Sequence, residues 1–230
     1  HQWFGNMATE KSFAHLWLSE GFATYLTHIY MEHKYGTDSL SKRMKEDRAS
    51  VLSFVKESKR PVVDSTPNYK SLLNANSYQK GGWILHMLRR EIGDSMFHAG
   101  VRAYYDLYKG RNAETKELQA VFERVSGKQL ATFFNQWLYR GVNPQLQISW
   151  KNDPATDGLI ITIDQVQKGG PFEMSLEMEL NYEENSKEVR RFDLSKTAHS
   201  FLITGKGTLL KVIPDPGTNL LADFTILTGK

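Results

Sequence analysis

Cysteine is absent from this 230-residue sequence, and its absence excludes several kinds of chemistry at once. Without a thiol there is no disulfide framework, no thiolate metal site and no cysteine nucleophile. Long apolar runs are missing as well, since no stretch approaches the roughly 18 residues that a membrane-spanning helix requires. We therefore expect no membrane insertion. No secretory signal is visible either, but this says little about the compartment because the start at His1 looks internal.

A strong charge of one sign is also lacking. The 29 lysines and arginines are nearly balanced by 26 aspartates and glutamates, for a formal net charge of +3. The basic residues Lys42, Arg43 and Lys45 are followed directly by Glu46 and Asp47. Mixed charge of this kind is typical of a solvated helix face rather than of a nucleic-acid footprint. We therefore expect no nucleic-acid partner.

What the sequence does have is enough apolar material for a core, with 40% hydrophobic and 12% aromatic residues. Up to about Arg140 the apolar residues recur at helical spacing. The first helix carries an apolar stripe and should end at Gly36, and a second should run from about Ser39 to Ser58, where Pro61 stops it. The first stripe consists of Leu16, Phe22, Tyr25, Leu26, Ile29 and Tyr30.

A polar stretch over residues 60–77 reads as a loop, and helical patterns resume after it. We predict Thr115 as the N-cap of one of these helices and Gly141 as the end of the last. Gly81 and Gly82 would each weaken an isolated helix by about 1 kcal/mol relative to alanine. Their presence in a helix predicts the close approach of another backbone. The predicted helical segments are 78–93, 94–110, 114–127 and 128–141.

After residue 144 the apolar period changes from 3.6 to 2. In FEMSLEMELNY, residues 172–182, apolar and polar side chains alternate, which predicts a strand with one wet face. Several short strands separated by turn residues point to a small antiparallel sandwich. We place the boundary between the two parts at residues 141–145. Further strands are predicted over 158–166, 187–194, 199–205 and 208–215.

His1 and Glu20 are candidate metal ligands. The metalloprotease helix H-E-x-x-H places two histidines on one helix face with a glutamate base between them. His1 can be the second of those histidines, and eighteen residues, 2–19, separate it from Glu20 on a second helix. A carboxylate arriving from that helix would complete a His2Glu set, with the fourth tetrahedral position open for water.

The segments HQWFGN and LWLSEGFA, with Glu20 nineteen positions beyond His1, resemble the M1 (gluzincin) zinc aminopeptidases. That family reads HExxH, eighteen residues, then a glutamate. SYQKGGWILHMLRREIG and FFNQWLYRGVNPQL are similar to later segments of its catalytic domain, so the likeness covers about residues 1–145. The resemblance implies an α+β chain: residues 1–142 as the helical C-terminal part of a thermolysin-like catalytic metallopeptidase domain, and residues 143–230 as a small antiparallel, Ig-like β-sandwich.

The same resemblance implies roles for individual residues. His1 and Glu20 would bind one zinc ion, and Tyr78, just ahead of QKGGW, would match the family's transition-state tyrosine. A phenol suits that role because its proton is retained at neutral pH. Tyr69 is the fallback for Tyr78. The chain departs from the family pattern at Ser19 and at His15, and His15 could be read as an extra ligand.

The parent protein implied by the resemblance is a zinc aminopeptidase that acts on peptides with a free N-terminus. The first histidine and the glutamate base of its motif would precede His1, so we expect this chain to be a piece with little activity alone. The style of the motifs favours a bacterial, exported enzyme. Alternatives are a non-catalytic protein-binding scaffold, an epoxide hydrolase or endopeptidase of the same fold, and an unrelated helical protein.

Other candidate sites are weaker. His28 and His33 are five residues apart and would point in different directions on a helix, which makes them a poor metal pair. His86 and His98 lie among apolar residues in helical segments, where packing explains them. No GxSxG elbow and no phosphate-binding loop of the Walker or Rossmann type occurs in the sequence.

Overall fold

The fold is that of a computed structural model, which describes residues 1–66, 68–153, 158–204 and 207–227, without the side chains of Tyr69 and Asp153. The chain divides into two compact units, His1–Gly141 and Val142–Lys230. The first unit is helical and the second consists of strands, so the predicted α+β class is confirmed. No helix among the described residues is long and apolar enough to cross a membrane.

The first unit is built from helices joined by short connections, with one small parallel strand pair formed by β1 (Ala8–Glu10) and β2 (Arg111–Ala113). Between the second and third helices a loop leads through a 3₁₀ turn (Tyr69–Leu72) into a π-helix (Asn76–Lys80). The α-helices are α1 (Trp17–Tyr35), α2 (Thr37–Glu57), α3 (Gly81–Ile92), α4 (Asp94–Tyr108), α5 (Thr115–Ser126) and α6 (Ala131–Leu138).

The predicted helices are present, with corrections at their ends. Thr115 is the first residue inside α5 rather than its N-cap, because Glu114 caps the helix in a reciprocal capping box with Glu117. Helix α6 ends at Leu138 instead of reaching Gly141. The first three residues of the segment predicted as helical from Tyr78 onward are wound as a π-helix, which the apolar period does not reveal.

Helices α1 and α3 form the centre of the first unit. A Cβ atom built on Gly21 would lie 2.8 Å from the carbonyl carbon of Gly81, so the two backbones are in direct contact. This confirms the close approach predicted from the glycines of α3. The Phe4 ring stacks on Phe22 with 4.4 Å between the ring centroids, and this packing brings the segment after His1 onto α1.

The second unit contains two sheets. One has the strand order β7-β4-β3-β9 and the other β6-β5-β8. Four strand pairs are antiparallel as predicted, but within the described ranges β3 and β9 pair in parallel, which the prediction of an antiparallel sandwich missed. The strands are β3 (Gln145–Asp153), β4 (Gly158–Gln165), β5 (Met174–Tyr182), β6 (Lys187–Leu194), β7 (Ala198–Thr204), β8 (Leu209–Pro214) and β9 (Asp223–Leu227).

Alternation along β5 agrees with the prediction, since Leu176, Met178 and Leu180 are fully buried and the residues between them are partly exposed. The two sheets meet at an edge-to-face contact between Phe192 of β6 and Phe201 of β7, with 4.9 Å between the ring centroids. Strands β3 and β9 were not among the predicted strands, and β9 is short and lacks a strict alternation of buried residues.

Candidate functional site

His1 and Glu20 lie together. Helix α1 begins at Trp17, which places Glu20 in its first turn, and the His1 Nε2 atom is 3.0 Å from the Glu20 Oε2 atom. The Glu20 side chain is only 12% exposed, yet its Oε2 atom accepts no hydrogen bond from any residue that the structure describes. The imidazole nitrogen and the carboxylate oxygen are therefore within ion-pair distance, but no hydrogen bond joins them.

The chain around His1 is shaped by a turn that folds back on it. The Asn6 amide donates a 3.0 Å hydrogen bond to the His1 carbonyl oxygen. Gly5 adopts φ +113°, and a Cβ atom at this position would lie 3.2 Å from His1 Nδ1. This positive φ and the small space both favour glycine at position 5. The turn thus fixes the backbone of His1 next to the first turn of α1.

Burial raises the pKa of the Glu20 carboxyl above its usual range. The hydrogen bond from Tyr78 lowers this pKa, the negative charge of Glu10 raises it further, and the α-amino group of His1 lowers it. A half-buried carboxylate whose ionised form is disfavoured gains from any cation that can reach it. The surroundings of Glu20 therefore favour a positively charged ligand.

Tyr78 reaches the same carboxylate from the π-helix, where its hydroxyl hydrogen-bonds to Glu20. Burial raises the pKa of Tyr78, and the charge and hydrogen bonding of Glu20 raise it further. The phenol therefore keeps its proton well above neutral pH and is available as a donor. The Asn76 side chain anchors this helix by donating to the carbonyl oxygens of Arg60, at 2.8 Å, and Pro61, at 3.3 Å.

The His1–Glu20 pair fits a zinc ion in its donor chemistry. Imidazole nitrogen and carboxylate oxygen are both common zinc ligands. A carboxylate oxygen that coordinates a metal ion needs no hydrogen-bond donor, and Glu20 Oε2 has none in the described part of the chain. Among the described residues no third histidine, aspartate or glutamate joins the pair closely enough to form a three-residue metal group. By itself the pair therefore offers two donor groups, fewer than the three protein ligands usual at a catalytic zinc site.

Two further groups near the site were missed by sequence reasoning. Ser19, noted only as a departure from the family pattern, donates a short hydrogen bond to the Glu10 carboxylate, which lies at the end of β1. Lys80 is fully buried, and its Nζ atom has no hydrogen-bond partner within the described part of the chain. Burial, with the positive charge of Arg140, lowers the pKa of Lys80 to about 7. Its position beside Gly81 is the only signal that could have found it.

His15 does not belong to the metal pair. The Thr115 amide donates to His15 Nδ1 at 3.4 Å, so this ring nitrogen is an acceptor and also takes the Thr115 hydroxyl proton, 2.9 Å away. The Trp17 indole N–H donates to the same hydroxyl oxygen at 3.0 Å. Burial lowers the pKa of His15, which agrees with a neutral ring that accepts at Nδ1. His15 therefore ties the segment before α1 to the start of α5. The fallback Tyr69 has a side chain outside the described part of the structure.

Two other histidines of the helical unit have structural partners. His28 Nε2 lies 2.8 Å from the Asp47 carboxylate and joins α1 to α2. His86 Nδ1 is 2.9 Å from the Tyr25 hydroxyl and is almost fully buried, which agrees with the expectation that packing explains His86.

An apolar cavity of about 270 Å³ opens beside His1. It is lined by Trp3 and Phe4 and by residues on one face of α1, among them Leu26 and Tyr30, which are one helical turn apart. The Trp3 and Tyr30 side chains remain well exposed. An apolar group could therefore be accommodated directly next to the imidazole.

Comparison with known protein families gives a match over most of the helical unit. The model of the peptidase family M1 domain matches residues 1–137. Aminopeptidase M1-C of Oryza sativa subsp. japonica is 28% identical over 155 residues, which are 66% of this chain and 18% of that protein. The alanine/arginine aminopeptidase of Saccharomyces cerevisiae is 30% identical over 160 residues, which are 64% of this chain and 18% of that protein.

Among solved structures, Legionella pneumophila aminopeptidase A in complex with aspartic acid has a similar fold. The TM-score is 0.77 at 20% sequence identity, and the superposition covers 98% of this chain and 26% of that one. At this identity the likeness concerns the fold alone. The chain spans about a fifth of the length of the curated relatives it matches.

Proposed function

Since this chain belongs to peptidase family M1, we propose that the protein containing it is a zinc aminopeptidase, which removes N-terminal residues from peptides. His1 and Glu20 would be two of the zinc ligands, and Tyr78 would stabilise the transition state. The helical unit would be part of the catalytic domain, and the strands from about residue 143 a β-sandwich domain.

One observation carries this proposal. The Oε2 atom of Glu20 is buried, lies 3.0 Å from His1 Nε2 and accepts no hydrogen bond from the described residues. A buried polar atom that accepts no hydrogen bond calls for an explanation, and here the His1 imidazole lies at ion-pair distance. A cation held between the two atoms would satisfy the carboxylate and the imidazole together, and the Tyr78 hydroxyl is already beside that carboxylate.

The chain's own residues would act as follows. His1 and Glu20 would hold the zinc ion, and Ser19 would keep the start of α1 in place through its hydrogen bond to Glu10. When bound, zinc would supply Lewis-acid activation of the scissile carbonyl and of water. Tyr78 would donate its phenolic hydrogen to the oxygen on which negative charge develops, a role that its raised pKa supports because the proton is retained.

Catalysis needs groups beyond this pair. A catalytic zinc site usually has three protein ligands, and no third one accompanies His1 and Glu20 among the described residues. In the H-E-x-x-H motif the missing histidine lies four residues before His1 and the glutamate base three residues before it. We propose that these residues complete the site, and that the chain from His1 onward has little activity by itself.

The decisive experiment compares this chain with a longer protein that includes its native preceding sequence. Both would be assayed on a panel of aminoacyl anilides, with and without a metal chelator, and their zinc content would be measured. We expect chelator-sensitive hydrolysis and one zinc ion per molecule in the longer protein, and little of either in the chain that starts at His1. General-base assistance alone contributes about 10²–10⁴-fold in rate, so the difference should be large.

A negative result has a clear meaning. If neither protein hydrolyses any substrate of a broad panel and neither holds zinc, the aminopeptidase proposal is wrong. A non-catalytic scaffold that uses the fold for protein binding would then replace it. Hydrolysis of N-terminally blocked peptides by the longer protein would instead identify an endopeptidase of the same fold.

A further inference from the structure

The closest backbone contact between α1 and α3 lies between Gly21 and Gly81. A Cβ atom on Gly21 would be 2.8 Å from the carbonyl carbon of Gly81 and 2.9 Å from its Cα atom. A Cβ atom on Gly81 would be 3.0 Å from the Cα atom of Gly21. Real Cβ atoms essentially never come within 3.0 Å of such neighbours. A methyl group on Gly21 therefore has to push the two helices apart, and one on Gly81 requires the facing backbone to shift by a few tenths of an ångström.

This contact lies between the two groups of the candidate site. Gly21 directly follows Glu20 in the first turns of α1, and Gly81 follows the π-helix that carries Tyr78. The amide of Gly81 bonds back into this π-helix, to the carbonyl oxygens of Asn76 and Tyr78. A displacement of Gly81 is thus transmitted directly to the backbone that holds the Tyr78 side chain.

We infer that the Gly21–Gly81 contact is the spacer that sets the distance between the Tyr78 hydroxyl and the Glu20 carboxylate. Both glycines are positioning residues, and neither touches the reacting groups. The inference rests on the proposed function where it concerns catalysis, but the spacing itself is a property of the fold. Its physical basis is that backbone in contact with backbone has no flexible side chain that can give way.

The expected consequence for catalysis is large for so small a change. A displacement of about 1 Å at an active site can lower the rate about 100-fold, because stabilisation of the transition state depends on geometry. The Tyr78 hydroxyl would be displaced from the developing oxyanion. The positions of His1 and Glu20 relative to each other should change little, because the Gly21–Gly81 contact does not lie between them. Zinc binding should therefore change less than turnover.

Two other glycines provide matched controls. A Cβ atom on Gly82, in the same helix pair, would lie 3.3 Å from the methyl carbon of Thr24 and in ordinary contact with the Thr24 Cβ atom, at 3.6 Å, and the Gly21 carbonyl oxygen, at 3.8 Å. A Cβ atom on Gly100 would lie 2.4 Å from the Phe122 ring, a shorter distance, but to a side chain and between α4 and α5. The Gly100→Ala variant thus reports the effect of helix overpacking away from the Tyr78–Glu20 pair.

The test is a double-mutant cycle in the zinc-loaded protein with its native preceding sequence. Gly81→Ala and Gly21→Ala would be made both in the wild-type background and in the Tyr78→Phe background, with kcat, KM and zinc content measured. We expect each glycine variant to lower kcat about 10-fold to 100-fold in the wild-type background. In the Tyr78→Phe background, where no hydroxyl can be misplaced, the same variants should have almost no further effect.

An equal loss in both backgrounds, or a loss matched by Gly100→Ala, would overturn the inference and assign the glycines to packing alone. A second readout needs no activity. With 3-fluorotyrosine incorporated at position 78, the ¹⁹F resonance should move in Gly81→Ala and Gly21→Ala and stay in place in Gly82→Ala and Gly100→Ala. A resonance unaffected by the first two variants also contradicts the spacer.

The failure of the proposed function gives a different pattern. If Tyr78→Phe leaves kcat unchanged, or the protein has no zinc-dependent activity, the catalytic role of the tyrosine is wrong. The ¹⁹F shifts then still decide whether the two glycines set the position of Tyr78. Gly81→Ala, with the milder 3.0 Å contact, keeps the test available if Gly21→Ala does not fold.

Discussion

The two units differ in how the buried polar groups of their irregular segments are hydrogen-bonded. In the strand unit the buried Gln165 side chain is satisfied at both ends: its Nε2 donates to the carbonyl oxygen of Phe172 at 2.9 Å, and its Oε1 accepts from the Phe172 amide at 2.9 Å. The neighbouring Gln167 side chain donates to the Gly170 carbonyl oxygen and accepts from the Gln145 amide. These glutamines replace strand hydrogen bonds in an irregular connection.

In the helical unit, by contrast, three buried atoms at or next to the candidate site have no hydrogen-bond partner within the described residues. They are the Oε2 atom of Glu20, the Oδ1 atom of Asn76 and the Nζ atom of Lys80, and His28 Nδ1 and Arg60 Nη2 share this property elsewhere in the unit. Asn143 shows that the strand unit is not free of this feature, since both of its side-chain polar atoms are also unpaired in the described structure. Even so, the contrast between the glutamine cluster and the Glu20 region is clear.

We infer that the hydrogen-bonded glutamines maintain the fold, whereas the unpaired polar groups near Glu20 serve function. Satisfied buried networks rigidify a structure, whereas an unpaired buried group costs free energy and persists mainly where function requires it. If this view is right, substitutions in the two units should differ in kind. Those in the strand unit should affect stability alone, and those around Glu20 should affect zinc binding, turnover or pH dependence.

The largest effect is expected for Glu20→Ala. Loss of a direct ligand should exceed the 10–100-fold loss of metal affinity typical of groups that only support a ligand. In the protein with its native preceding sequence, zinc content and hydrolysis should both fall to near background. Glu57→Ala removes an exposed carboxylate at the end of α2 and serves as the control. Normal zinc binding by Glu20→Ala would contradict its role as a ligand.

Tyr78→Phe should have the next largest effect. Removal of one oxyanion donor typically lowers kcat about 10²–10³-fold, and we expect a loss in this range with little change in KM or zinc content. Steady-state kinetics on an aminoacyl anilide measure it, with Tyr35→Phe, at an exposed position, as the matched variant. A change in KM alone would show that Tyr78 binds substrate rather than the transition state.

Lys80→Met should stabilise the helical unit, and the gain should depend on pH. The pKa of Lys80 is about 7 in the folded state and near 10.4 in the unfolded chain, so the folded state releases the proton first as pH rises. The cost of burying the charge is therefore complete below pH 7 and disappears between pH 7 and about 10.4. The Met variant should accordingly gain a few kcal/mol at low pH and much less at pH 10.

Chemical denaturation at several pH values measures this difference. Lys56→Met, at an exposed position of α2, controls for the general loss of a positive charge. A gain in stability that is independent of pH would show that Lys80 is already neutral or is paired in the folded protein. Destabilisation at all pH values would show that its amino group has a partner that supports the fold.

The smallest of these effects is expected for Gln165→Leu. The variant removes both hydrogen bonds between the Gln165 side chain and the Phe172 backbone, which should cost about 1–3 kcal/mol of unfolding free energy. Zinc content should not change. Gln147→Leu, at a half-exposed position of β3, makes the same substitution without a buried network. Equal stability of the two variants would show that the glutamine cluster contributes nothing to the fold.

Much of the fold could be predicted from local pattern. Helices α1 to α6 and the strand β5 follow from apolar periodicity, which can be recognised within a short stretch of neighbouring residues. The errors have two sources. The sequence pattern predicts Thr115 as the N-cap, although the local capping box is formed by Glu114 and Glu117. The bonds of the Thr115 hydroxyl to His15 and Trp17, about 100 positions away, could not be read from local pattern.

The candidate site divides in the same way. The spacing of His1 and Glu20 and the segment around Tyr78 could be recognised in the sequence, and the structure brings all three together, although their roles remain predictions. Lys80 and the Ser19–Glu10 bond were not anticipated. Burial and hydrogen bonding depend on which elements pack together, and neither is encoded in the identity of a single lysine or glutamate.

The sequence by itself therefore determined the class of the protein: helices followed by strands, no thiol chemistry, and a histidine and a glutamate at the spacing of a metallopeptidase family. Only the tertiary structure decided that Glu20 Oε2 would be buried without a hydrogen bond and that Gly21 would rest on Gly81. The physical reason is one of range. Periodicity and motif spacing are properties of the chain, whereas desolvation and helix contact arise only when distant segments exclude water from each other.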